Sequence, residues 1–95
     1  DPAEAARAWR RALGDSLAAI AAALAPGAAA AIVLGDSLAG PGRAVYALDD
    51  LRGALTDELA VEAWASQERP MLGGGERRAF GDRPKAEHVV LLRRR

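Results

Sequence analysis

The sequence predicts an α/β fold on three observations. Apolar stripes at helical spacing cover residues 2–25 and 48–59, strand-like runs cover 28–34, 60–68 and 87–93, and Pro, Gly or Asp punctuation separates them. A helix between the first two strands favours an α/β arrangement, and the connection between the last two permits an antiparallel pair. The expected order is helix, strand, helix, strand, strand, with an antiparallel C-terminal strand pair.

Asp1-Pro2 reads as a helix start, because the carboxylate can accept from free backbone donors and proline fits the first helical position without losing a bond. Trp9, Leu13, Leu17, Ile20 and Leu24 then recur at spacings of four, four, three and four, one apolar stripe on a helix over 2–25. Ala25-Pro26-Gly27 ends it. Residues 28–34 (AAAAIVL) form a continuous apolar run between Pro26-Gly27 and Gly35-Asp36, which reads as a strand buried on both faces.

Gly40-Pro41-Gly42 marks a loop, after which Leu48, Leu51, Leu55 and Leu59 repeat at three, four and four, predicting a second amphipathic helix over 48–59. In 60–68, Val61, Ala63 and Ala65 alternate with Glu62, Trp64 and Ser66, the period of a strand with Trp64 on the mixed face. Residues 69–86 are rich in Gly, Pro and Arg and read as one long mobile loop; the strand 87–93 closes the chain, with Arg93 to Arg95 as a frayed end.

Ninety-five residues make a single domain or a fragment of one, burying little more than about 60% of the unfolded surface. The chain opens at Asp1 rather than methionine, which fits excision or processing from a longer polypeptide. It contains no cysteine, so there is no disulfide framework, thiol nucleophile or Cys-type zinc site; this fits a cytoplasmic setting. No apolar run approaches the ~20 residues a membrane span needs. The balanced net charge divides unevenly: residues 1–66 hold nine acids and five bases, and residues 67–95 hold four acids and eight bases. That asymmetry points the second part toward phosphate or an acidic neighbour. Arg69, Arg77, Arg78, Arg83 and Lys85, near Phe80, have the composition of a backbone-binding segment with one base stacked on the ring. A solvated loop holding Glu76 and Asp82 is the competing reading.

Gly35-Asp36-Ser37-Leu38 matches the first block of the GDSL esterase family, in which Ser37 would be a nucleophile with His88 as its base. The position three before His88 is Lys85 rather than the aspartate of that family, and the Gly-x-Asn-Asp block is absent. A larger resemblance uses most of the chain. The Leu24-Ala25-Pro26-Gly27 turn, the strand ending in Val33-Leu34-Gly35-Asp36-Ser37, a second helix, a strand, and Arg83-Pro84-Lys85-Ala86-Glu87-His88-Val89-Val90-Leu91-Leu92-Arg93 together resemble the C-terminal half of a class I S-adenosylmethionine-dependent methyltransferase of the DNA/RNA methylase type.

That resemblance implies a partial Rossmann-like methyltransferase sheet, with the last strand antiparallel between the other two, and a substrate that is nucleic acid. It places Asp36, Ser37 and Arg43 on the substrate side of the cleft, since ligands gather outside the carboxyl ends of strands in open α/β sheets. For Asp36 and Ser37 the alternative is that they tie a turn together through side-chain to backbone bonds. The family's cofactor turn and its acidic partner are not in this sequence, and Gly73-Gly74-Gly75 is expected to open no helix. S-adenosylmethionine would therefore be bound mainly by a missing N-terminal half or a partner chain along strand 28–34, with a homodimer as another way to cover that strand. No catalytic, cofactor-binding or metal-ligating residue carries over. A non-enzymatic interaction or nucleic-acid-binding module on the same fold is the alternative function.

Overall fold

A computed structural model describes residues 1–40 and 42–95, so the centre of the Gly40-Pro41-Gly42 loop, at 41, lies outside the described residues. The first helix, α1, spans Pro2–Ala23. Asp1 caps it, one carboxylate oxygen accepting from the Glu4 N–H at 2.9 Å. Its buried residues Ala6, Leu13, Leu17 and Ala21 follow the helical period, with Trp9, Ile20 and Leu24 half-buried beside them. At the exit, Gly27 takes φ 81°, a conformation that an L side chain would strain, and its N–H reaches the Arg94 carbonyl at 2.8 Å.

Next come β1 (Ala29–Gly35) and a two-stranded ribbon of β2 (Ser37–Leu38) and β3 (Ala44–Val45). They are followed by α2 (Ala47–Ala54), β4 (Leu59–Glu68), α3 (Gly74–Phe80) and β5 (Ala86–Arg94). The main sheet has the order β1-β5-β4, and both pairings are antiparallel. The last strand therefore lies in the centre, and β1 and β4 run in the same direction on either side of it. The chain is mixed α/β, and among the described residues no strands pair in parallel.

One face of the sheet carries the core. Leu13, Leu17 and Ala21 of α1 and Leu51 of α2 pack on Leu59, Val90 and Leu92, with Ile32 and Leu34 alongside. Leu51, Val90 and Leu92 are fully buried, each stabilising by about 1.5–3 kcal/mol relative to exposure. The opposite face is bare. Ala31, Val33, Ala63, Ala65, Val89 and Leu91 project there, and Val33 and Val89 remain 63% and 48% exposed. The strand expected to be buried on both faces is thus buried on one: along β1, half-buried residues alternate with exposed ones.

Several elements differ from their expectations for identifiable reasons. α2 stops at Ala54, not at 59, with Leu55 extended; Leu59 keeps its core position as the first residue of β4. A leucine four residues on meets the same core from a helix or from a strand entry, so spacing does not separate the two. The expected loop 69–86 contains α3, and Gly74 is its first residue. Arg93 and Arg94 are strand residues rather than a frayed end: the Arg94 guanidinium donates to the Ala21 carbonyl at 3.0 Å, meeting the free acceptors at the C-terminus of α1. In β4, Val61 faces Leu92 but Ala63 faces Leu91, an irregularity at Glu62 that exchanges the two faces. Trp64 and Ser66 consequently join the face of Val90 and His88, whereas Ala63 and Ala65 pass to the bare one.

Candidate functional site

The polar residues of the sheet converge where β1 and β4 end and β5 begins. Asp36 follows β1 and is 8% exposed; His88 on β5 is 7% exposed. One Asp36 carboxylate oxygen accepts from the Ala47 N–H at 2.9 Å and lies 3.1 Å from His88 Nε2, and the other accepts from the Ala86 N–H at 2.9 Å. A single side chain thus holds the ends of β1, the start of α2 and the start of β5. Since a carboxylate only accepts, His88 Nε2 carries a proton, and in the neutral imidazole Nδ1 accepts from the Ser66 hydroxyl at 2.7 Å.

This arrangement decides between the readings of the Gly35-Asp36-Ser37 turn. Both ring nitrogens of His88 are occupied, by Ser66 and Asp36, so Ser37 has no histidine base, and the serine-esterase reading is corrected on that ground. Asp36 ties the turn and two further elements through backbone donors. Ser37 pairs with Val45 in the short ribbon and is exposed, as is Arg43. These two are the substrate-side candidates that face solvent, and Asp36 is buried. Among the described residues, no three His, Cys, Asp or Glu side chains gather as a metal site.

The basic segment divides in two. Phe80 is 3% exposed, packed edge-on against Tyr46 at 5.5 Å and 81°, so neither ring face is open to a base; that expectation is corrected by burial. Arg83 stacks over Tyr46 at 3.7 Å and pairs with Asp49 at 2.9 Å. The hydrogen bond and charge of Arg83 hold the Asp49 carboxyl below its ordinary range. Lys85 bonds both oxygens of Glu76, at 3.0 and 3.2 Å. The Leu72 N–H and then Lys85 lower the Glu76 pKa. These two cations fasten α3 and its flanks to the body of the fold. Arg69, Arg77 and Arg78 remain exposed at the surface.

A second basic feature lies where the sequence reading placed none. Arg7, Arg10 and Arg11 of α1 line a groove of about 450 Å³ together with Gly14 and with Asp50, Gly53 and Ala54 of α2. Their spacing of three and one on a helix, with Arg7 and Arg11 off the Leu13–Leu17 stripe and Arg10 in line with it yet exposed, is the signal that could have revealed them. The acidic balance of residues 1–66 concealed it, because Asp49 and Asp50 are engaged with Arg83 and with the Trp9 indole N–H. Comparison with family models, with curated proteins and with solved structures found no match for this chain. No helix is long and apolar enough to cross a membrane among the described residues.

Proposed function

We propose that this chain is the substrate-side, C-terminal half of a class I S-adenosylmethionine-dependent methyltransferase acting on nucleic acid. The observation that carries the reading is the strand order: a final strand, β5, inserted antiparallel between two strands that run the same way, with α1 and α2 flanking β1. A Rossmann-like methyltransferase sheet ends in that order, and the terminal segment Arg83–Arg93 adds the sequence resemblance.

The bare face of the sheet supports the same reading. Sheets of this class are covered on both faces, and here one face of small and branched apolar side chains is open, next to an edge of β1 that pairs with no other strand among the described residues. In the proposal that edge and face meet the half that holds S-adenosylmethionine. Ser37 and Arg43, outside the carboxyl end of β1, then lie toward the substrate, and Asp36 acts as a positioning residue.

Calorimetric titration of S-adenosylmethionine tests this, using the 95-residue chain and a longer product that joins it to a cofactor half. Binding by the longer product alone is the expected result. Absence of binding by both would overturn the methyltransferase reading and favour an interaction module.

A further inference from the structure

We propose that the groove between α1 and α2 binds the phosphate backbone of a nucleic acid, gripped by Arg7, Arg10 and Arg11 and continued by Arg43 toward the end of β1. This deepens the nucleic-acid part of the function proposed above and does not depend on methyl transfer.

The first ground is the state of the arginines. Arg83, Arg93 and Arg94 are committed to Asp49, Glu62 and Glu58, and Lys85 to Glu76. Among the described residues, Arg7, Arg10, Arg11 and Arg43 form no ion pair with a carboxylate. The helix sets Arg10 and Arg11 about 4.5 and 6 Å along its axis from Arg7. Each strand of a duplex presents a phosphate about every 3.4 Å of axis, within reach of neighbouring guanidinium forks, which bind phosphate through two parallel bonds.

The second ground is independent of charge. Gly14 lies inside α1 and Gly53 inside α2, where glycine is unfavourable relative to alanine. A Cβ built at either meets nothing within 4 Å, so the packing of the protein itself calls for neither glycine. Both line this one groove. Their shared effect is to keep helix backbone bare beside three arginines, which admits a ligand closer than a side chain would allow.

The groove sets three guanidinium groups against one carboxylate, Asp50. The Trp9 indole N–H donates to Asp50 at 2.8 Å, clasping α1 to α2 and engaging the one carboxylate on the wall. Arg10 is shared with a smaller cleft of about 110 Å³ that contains Arg43, Tyr46, Asp49 and Asp50. Arg10 and Arg43 therefore carry the line of guanidinium groups from α1 to the β2–β3 ribbon, with Asp49 beside them paired to Arg83 and Asp50 bonded to Trp9.

The test is fluorescence anisotropy of a short labelled mixed-sequence DNA duplex, and of the matching RNA duplex, with the full 95-residue chain at about 50 to 200 mM salt. The combined Arg7→Gln, Arg10→Gln, Arg11→Gln variant is expected to weaken binding at least about tenfold at low salt. It should also flatten the slope of log K against log salt by about 2.7 for DNA, roughly 0.9 per contact. Arg95→Gln, exposed and away from the groove, is expected to leave that slope nearly unchanged. Gly14→Ala with Gly53→Ala should raise Tm and yet weaken binding about threefold or more, an opposition that loss of folding cannot produce. Unaltered affinity and slope in the arginine variant, or a stabilised glycine variant that binds as before, would overturn the proposal. So would polyglutamate that displaces the duplex as well as unlabelled DNA does, which would assign the groove to an acidic protein. Absence of S-adenosylmethionine binding by the longer product as well, with this result intact, would reject the methyl-transfer reading alone.

Discussion

Replacing Asp36 with alanine should be among the most damaging changes this fold can receive. The carboxylate is 8% exposed and accepts from Ala47, Ala86 and His88 at 2.9, 2.9 and 3.1 Å. Each buried donor left without an acceptor costs about 1–3 kcal/mol, so the two backbone N–H groups alone set a loss of about 2–6 and a working value near ~4 kcal/mol. A domain of this length is stable by about 5–14 kcal/mol in total, so Asp36→Ala removes about a quarter or more of it. Asp36→Asn keeps one acceptor oxygen but turns an amide N–H₂ toward the other backbone donor, for about 2 kcal/mol. Ser37→Ala, at the neighbouring exposed position, should change stability by no more than about 0.5 kcal/mol. Urea unfolding followed by far-ultraviolet circular dichroism measures all three. With a slope of about 1.5 kcal/mol per molar, the alanine variant should lose about 2.5 M in midpoint and the asparagine variant about half that. A midpoint for Asp36→Ala within about 0.5 M of the parent, at unchanged slope, would refute the view that Asp36 joins three elements.

Other consequences follow from the same contacts. The carboxyls of Asp49, Glu62 and Glu76 are held below their ordinary values of 3.8, 4.5 and 4.5 by Arg83, by Arg93, and by the Leu72 N–H with Lys85. The unfolded chain then binds more protons in this range, so their stabilisation is complete above 4.5 and is lost as pH falls through the lowered folded values; thermal melts that stay flat on acidification past 3.8 would contradict it. Arg94→Ala should cost about 1–2 kcal/mol, because the Ala21 carbonyl at the end of α1 loses a charged donor; Arg95→Ala, whose backbone N–H makes the contact to Glu58, is the near-neutral comparison in the same urea assay. Val89→Lys places a charge in the centre of the bare sheet face and should suppress concentration-dependent association in sedimentation velocity. Parent protein that stays monomeric at every concentration tested would remove the basis for calling that face sticky.

The parts of this fold that were legible in the sequence are those set by one local rule each. The cap at Asp1, the stripe from Trp9 to Leu24 and the Pro26-Gly27 exit specify α1 without reference to the rest of the chain. The parts that were not legible depend on residues distant in sequence. Leu59 looks like the fourth leucine of a helix until Arg94 stands opposite it in a sheet and it joins Val90 and Leu92 in the core. The alternation of β4 is regular in sequence, but the bulge at Glu62, where Arg93 meets its carboxylate through two bonds, reverses the faces. Phe80 reads as a free ring among arginines because Tyr46, its cover, lies 34 residues away. α3 is short, glycine-led and held by Lys85 on Glu76, so propensity alone gives no sign of it. At the site, Asp36 and His88 were both visible as polar residues at strand ends, but that they meet depends on the register of β5 against β1, in which Gly35 faces Glu87.

That register makes β5 the element on which the others depend. It pairs with β1 from Ala29↔Arg93 to Gly35↔Glu87, across 64 and 52 residues of chain, and it is the only partner through which β4 reaches the sheet among the described residues. Before β5 docks, α1 and α2 can pack on β1 but lack Val90 and Leu92, two of the fully buried side chains, and Asp36 has lost two of its three donors. The entropy of closing so long a loop is therefore met only when core and polar junction form together, which makes folding slow for a chain this small and cooperative from end to end. The last residues of β5 fasten the sheet in the same way. Arg93 bonds Gly27 and Glu62, and Arg94 bonds Ala21 and Ala28, so the end of β5 closes the exit of α1, the entry to β1 and the bulge of β4 in one place. A basic terminus that sequence composition assigns to solubility is, on these contacts, the fastening of the whole sheet.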